Sequence, residues 1–214
     1  PAPRQPRDPP LRAYPPATTP PHALPPHTPG KWTSETSSPA PPRQPNRLYH
    51  TPDGLREAPG EDLALSLNSP QTTGRDGGEF CVIWMGPEFA GDQARDDAGS
   101  MVFDTQALGA DMDLVGPAEL ELEFSSDKPV ALLAVRLSDV RPDGRVSRIS
   151  YALQNLSHIV SHEHPEPLEP GERYFCRIRL DDVARTLPTG HKLRLSLSTC
   201  YWPLMWPAPE PVTL

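Results

Sequence analysis

The sequence predicts an all-β sandwich or jelly roll, and three observations carry that expectation. Apolar and polar residues alternate with period two in separate segments, among them 63–67, 119–124, 149–153, 174–180 and 193–197. Turn-forming clusters of Gly, Pro, Asp and Ser separate these segments at short intervals, as at Pro52-Asp53-Gly54 and Pro142-Asp143-Gly144. Helical periodicity is almost absent.

Taken in order, the chain opens on a Pro-rich tract. Eighteen of its 31 prolines fall in the first 60 residues. Residues 1–30 have few large apolar side chains to bury, so they read as an extended arm or linker. The β domain is expected over 31–214, with Trp32 pinning its first extended segment. Residues 47–50 form a short strand, and Leu63, Leu65 and Leu67 line one face of the next. Residues 69–78 read as a loop. Its spacing of Gly74, Gly77 and Gly78 suggests a phosphate cradle only weakly, because no lysine follows at the required offset and no helix opens after it. An apolar patch at 80–85 contains Trp84, and a polar stretch at 86–99 contains the acidic pair Asp96-Asp97.

Strand character resumes at 101–104. Over 119–124, Leu120, Leu122 and Phe124 face inward while Glu119, Glu121 and Glu123 face out. The run 130–137 is apolar on both faces, which predicts an interior strand. Tyr174, Cys176, Ile178 and Leu180 line one face of a later strand, and residues 181–186 are expected to form one helical turn before Pro188 and Gly190. Leu193, Leu195 and Leu197 point in from the last long strand, against Lys192, Arg194 and Ser196, and 212–214 begins another. The expected core includes Leu122, Leu133, Val135, Ile178 and Leu195.

The totals exclude some functions. A net charge of −8 argues against a general nucleic-acid binder. No apolar run is long enough to span a bilayer, and no signal-peptide pattern opens the chain. Three cysteines, Cys81, Cys176 and Cys200, lack C-x-x-C spacing, which points to a reduced, cytoplasmic setting. One disulfide with a free thiol is the alternative.

Residues 132–145 read L-L-A-V-R-L-S-D-V-R-P-D-G-R. Around them, in order, stand Pro29-Gly30-Lys31-Trp32, then Tyr49 through Gly54-Leu55, then Asp96-Asp97 ahead of Val102-Phe103-Asp104. Leu168 to Gly171 and Gly190-His191-Lys192-Leu193-Arg194-Leu195 follow. This ordered set, from about Leu11 to the end, resembles the C-terminal domain of the CocE/NonD hydrolases, relatives of the X-Pro dipeptidyl-peptidases. The resemblance implies a galactose-binding-like jelly roll of two antiparallel sheets, with Leu11-Arg12-Ala13-Tyr14 as its lead-in strand. It implies an upstream α/β-hydrolase catalytic domain as partner, on which this domain packs and whose access it shapes. A homodimer is compatible with the same reading. It implies no cofactor, and it places the family's catalytic triad outside this chain.

The residues agree with that last point. A serine nucleophile raised on G-x-S-x-G is missing; Gly99-Ser100-Met101 runs into Val102 where a glycine is needed. His162-Glu163-His164, with Glu166 and His158, is the best metal-like cluster, since His162 and His164 would share a face if the segment were a strand. A solvated loop explains these residues as well, and no metal is expected. His191 reads as a structural histidine at a strand edge rather than a catalytic base. Trp84, Trp202 and Trp206 are the candidates for domain docking or for stacking on a ligand. The alternative to an accessory hydrolase domain is therefore a stand-alone carbohydrate-binding or interaction module.

Overall fold

A computed structural model describes residues 48–51, 54–57, 64–79 and 89–214, all within the compact unit Asn46–Leu214. The Pro-rich arm, the lead-in strand at 11–14, Trp32, Cys81 and the apolar patch with Trp84 lie outside the described residues. Eight strands are described: β1 (Tyr49–Thr51), β2 (Gly54–Arg56), β3 (Met101–Asp104), β4 (Met112–Phe124), β5 (Leu132–Val140), β6 (Val146–Asn155), β7 (Tyr174–Leu187) and β8 (Lys192–Ser198). Among the described residues, helix is confined to one turn, α1 (Ala94–Asp97), and a 3-10 turn at Leu156–His158.

The strand pairings nest. β5 pairs with β6, β4 with β7, and β3 with β8, all antiparallel. This is a long two-stranded ribbon folded over on itself, the pattern that makes a jelly roll. A further antiparallel pairing of β5 with β8 completes a four-stranded sheet in the order β3-β8-β5-β6. The β4-β7 ribbon is the second layer, and β1-β2 is a small separate hairpin.

The core lies between these layers. Leu133, Val135 and Leu137 of β5, Cys176, Ile178 and Leu180 of β7, and Leu193 and Leu197 of β8 are buried together. Phe124 stacks on Tyr174 with ring centroids 5.7 Å apart. Of the expected core, Leu133, Val135 and Ile178 are buried, whereas Leu122 and Leu195 are half-buried and pack against it. The β4-β7 alternation follows the sequence: Arg177 of β7 bonds Glu121 of β4 at 2.6 Å on the solvent side. The β5-β6 turn is set by Gly144, at φ 87°, with Asp143 Oδ1 accepting from Arg145 N at 3.0 Å.

Three expectations are corrected. Residues 181–186 are strand, not helix. Pro117 pairs with Asp182 and Glu119 with Arg179, so β7 carries one extra residue there. That bulge shifts the inward positions from Cys176, Ile178 and Leu180 to Val183, Arg185 and Leu187, which breaks the period-two signal. Residues 64–67 and 212–214 are extended without being strands. Leu67 and Leu214 nonetheless exchange backbone bonds of 2.8 and 2.9 Å, joining distant parts of the described chain. The polar side of β8 faces water only at its start: Lys192 is exposed, Arg194 is half-buried and Ser196 is fully buried. A third layer covers that side of the sheet.

Candidate functional site

The covering layer is built from three segments: the loop 69–79, the stretch 91–100 containing α1, and residues 199–206. Arg136 is its anchor. It projects from the centre of β5, opposite Ser196 of β8, and is fully buried. Its Nη2 meets Asp97 Oδ1 at 3.0 Å and Ser100 Oγ at 2.7 Å, and its Nη1 donates to Gln93 Oε1 at 3.0 Å. The guanidinium lies 5.0 Å from the centre of the Tyr201 ring. An arginine buried in the sheet must find acceptors, and Asp97, Gln93 and Ser100 supply them.

Asp97 and Asp96 point to different tasks. Asp97 ties α1 to β8, accepting from Ser196 Oγ at 2.8 Å and Arg194 Nη1 at 2.9 Å. Arg194 also grips both oxygens of Asp104 on β3, at 2.6 and 2.7 Å. Those bonds raise the Arg194 pKa further, with Asp104 the leading cause. Asp96 faces the glycine loop and accepts from Gly74 N and Asp76 N, both at 2.9 Å. The weak phosphate-cradle signal thus has a physical basis: the loop amides do hold an anion, and the anion is this chain's own buried carboxylate.

The 199–206 segment is laced to the same loop. Ser69 and Thr199 exchange backbone-to-hydroxyl bonds of 3.0 and 3.1 Å. Trp202 N donates to Thr73 O at 2.9 Å. Gly74, at φ 113°, lies so close that a Cβ there would strike the backbone of Tyr201 and Trp202. The Tyr201 hydroxyl donates to Gln93 Oε1 at 2.6 Å and accepts from Arg148 Nη1 at 2.9 Å. Burial pushes its pKa up, partly offset by Arg148 and Arg136.

On this base stand the candidate aromatics. Trp202 and Trp206 meet edge to face, with centroids 4.9 Å apart, and Trp206 is 75% exposed. The structure therefore brings these two residues together; Trp84 lies outside the described residues. Beneath them the buried Tyr201 and Met205 form a small apolar cluster with Ala134 of β5.

The remaining candidates lie elsewhere. His191 Nδ1 meets Asp139 Oδ1 at 2.6 Å, and Arg185 Nη2 meets Asp139 Oδ2 at 3.0 Å. Asp139 is buried at the end of β5, so these bonds join β5, β7 and the turn before β8. The expected structural role of His191 is met by an acid with no local signal, since Asp139 is 52 residues away along the chain. His164 stands exposed, 3.9 Å from Glu163, and His162 pairs with His158 rather than with His164. The shared strand face failed because this segment is a 3-10 turn followed by bends. Among the described residues no group of three or more His, Cys, Asp or Glu is placed to hold a metal ion. Cys176 and Cys200 are free, buried thiols.

A jelly roll whose outer sheet face is sealed by an internal ion-pair layer, and which carries an exposed tryptophan pair, has the form of an accessory β-sandwich domain. The chain belongs to the family of X-Pro dipeptidyl-peptidase C-terminal non-catalytic domains, whose sequence signature matches residues 7–214. No curated protein matches it. Among solved structures, it is similar to an aminopeptidase from a marine sediment archaeon, Thaumarchaeota archaeon (20% identity, TM-score 0.66). It is also similar to an α-amino acid ester hydrolase (18% identity, TM-score 0.67). Each match covers 78% of this chain but only 33% and 32% of the other protein, so this chain spans about a third of their length. Among the described residues no helix is long and apolar enough to cross a membrane.

Proposed function

We propose that this chain is the C-terminal β-sandwich of a larger serine hydrolase of the esterase, acylase or X-Pro dipeptidyl-peptidase type. It packs on the α/β-hydrolase catalytic domain of the same polypeptide and shapes access to the pocket. The observation that carries the reading is the Trp202–Trp206 pair: exposed aromatics on a backbone clamped by the Asp96-bound loop. Large aromatics held rigid before contact are what a docking surface uses, because little entropy is lost on binding. Trp84 is a further candidate for this surface. The reducing setting suggested by the free buried thiols Cys176 and Cys200 fits a cytoplasmic hydrolase.

The rival is a stand-alone carbohydrate-binding module. The edge-to-face geometry, at 79° between ring planes, offers a ridge more than a flat stacking platform. Two assays of the isolated chain decide. It should resist labelling by a fluorophosphonate probe and give no saturable heat with oligosaccharides. Stoichiometric labelling would refute the non-catalytic reading; a tryptophan-dependent sugar isotherm would favour the binding module.

A further inference from the structure

The loop that follows β6 brings two imidazoles together through their Nδ1 atoms. His158 ends the 3-10 turn Leu156–His158, and His162 lies four residues on. Their Nδ1 atoms are 3.4 Å apart, with the rings tilted by 47°. In the absence of an ion the pair can share one N–H, though 3.4 Å makes that a long hydrogen bond. A tetrahedral Zn²⁺ with its nitrogens at about 2.0–2.1 Å instead sets two of them about 3.3–3.4 Å apart.

The loop is held firmly enough to keep that spacing. Leu156 is fully buried and donates its N–H to Ala131 O at 2.9 Å; at the far end, buried Leu168 donates to Pro129 O at 2.8 Å. Glu166 N closes the loop across to Ser157 O at 3.0 Å. The Asn155 side chain caps the turn, accepting from both N and Oγ of Ser157 at 3.1 and 2.8 Å. His162 is exposed, so an ion can reach the pair from solvent.

We propose that His158 and His162 form a two-imidazole surface site for a borderline divalent cation, Zn²⁺ in the first place, with water in the remaining positions. Imidazole nitrogen suits Zn²⁺ better than the hard cations Mg²⁺ and Ca²⁺. His164 is not a ligand of this site.

The test is calorimetric titration of the metal-stripped 214-residue chain with ZnCl₂, beside His158→Ala, His162→Ala and His164→Ala. Circular dichroism confirms that each variant folds. One saturable site is expected. Its affinity should fall about tenfold or more in His158→Ala and in His162→Ala, and stay within about twofold in His164→Ala. Co²⁺ bound to the wild type should give the intense visible bands of tetrahedral coordination. Absence of saturable binding would overturn the proposal. So would unchanged affinity in either His158→Ala or His162→Ala, or an equal loss in His164→Ala.

Discussion

Arg136 and Asp97 form an ion pair at 3.0 Å with 0% and 5% of their side chains exposed. The two residues are 39 apart in sequence, and the pair ties the sheet to its covering layer. Arg136 Nε is itself buried without a partner, so the network is held at some cost. Removing one member of a buried pair leaves the other charge uncompensated. Arg136→Met should therefore cost about 3–5 kcal/mol in denaturant unfolding. A loss below about 1 kcal/mol would mean that Arg194 and Ser196 alone can satisfy Asp97.

Gly74 and Gly144 separate close approach from backbone freedom. Both have positive φ, but a Cβ at Gly144 would meet nothing within 4 Å, whereas one at Gly74 would strike Tyr201 and Trp202. Gly144→Ala should cost about 1–2 kcal/mol, the left-handed penalty alone. Gly74→Ala should cost clearly more and should alter the near-ultraviolet dichroism of the Trp202–Trp206 pair. Equal costs, with an unchanged aromatic spectrum, would contradict the clamp.

Cys176 links stability to alkaline pH. Burial among apolar side chains raises its thiol pKa to about 11. The folded value is above the unfolded one, near 8.5, so its contribution is complete below about pH 8.5 and is lost as pH rises towards 11. Burial raises Cys200 and Tyr201 in the same direction. Unfolding midpoints should fall across this window, and Cys176→Val should remove up to about 3 kcal/mol of that fall. A pH slope identical in the variant would show that this thiol does not control it.

His191 tests the difference between a structural and a catalytic histidine. Its bond to buried Asp139 predicts that His191→Ala costs about 1–3 kcal/mol of stability. In the hydrolase proposed to contain this chain, kcat should hold at temperatures where the variant is folded. A large fall in kcat without destabilisation would reverse the assignment.

The parts legible in the sequence are those where one strand has one dry face. Glu119, Glu121 and Glu123 stay outward while Leu120, Leu122 and Phe124 turn in, and the alternation reports this directly. β5 was legible as an interior strand because the run 130–137 places apolar residues on both faces; Arg136, Ser138 and Asp139 are its buried polar positions, and Arg136 explains the layer above it. The rest failed for identifiable reasons. One extra residue near Asp181 reset the alternation of β7 and left a polar run that imitated a helical turn. Leu67 finds its partner at Leu214, a pairing with no local signal. Ser196 and Arg194 read as solvent-facing because alternation shows which residues share a face, not what covers it. Of the candidate site, Trp202 and Trp206 were visible as a cluster, but the carboxylate-filled glycine loop beneath them depends on Asp96, which lies 22 and 20 residues from its partners Gly74 and Asp76.

Calorimetric titration of the catalytic domain of the proposed parent hydrolase with this chain tests docking through the tryptophan pair most directly. A saturable one-to-one complex is expected. Trp202→Ala or Trp206→Ala should weaken it by about 2 kcal/mol or more, near thirtyfold in Kd, if these rings are its anchors. Affinity unchanged in both variants would contradict the account.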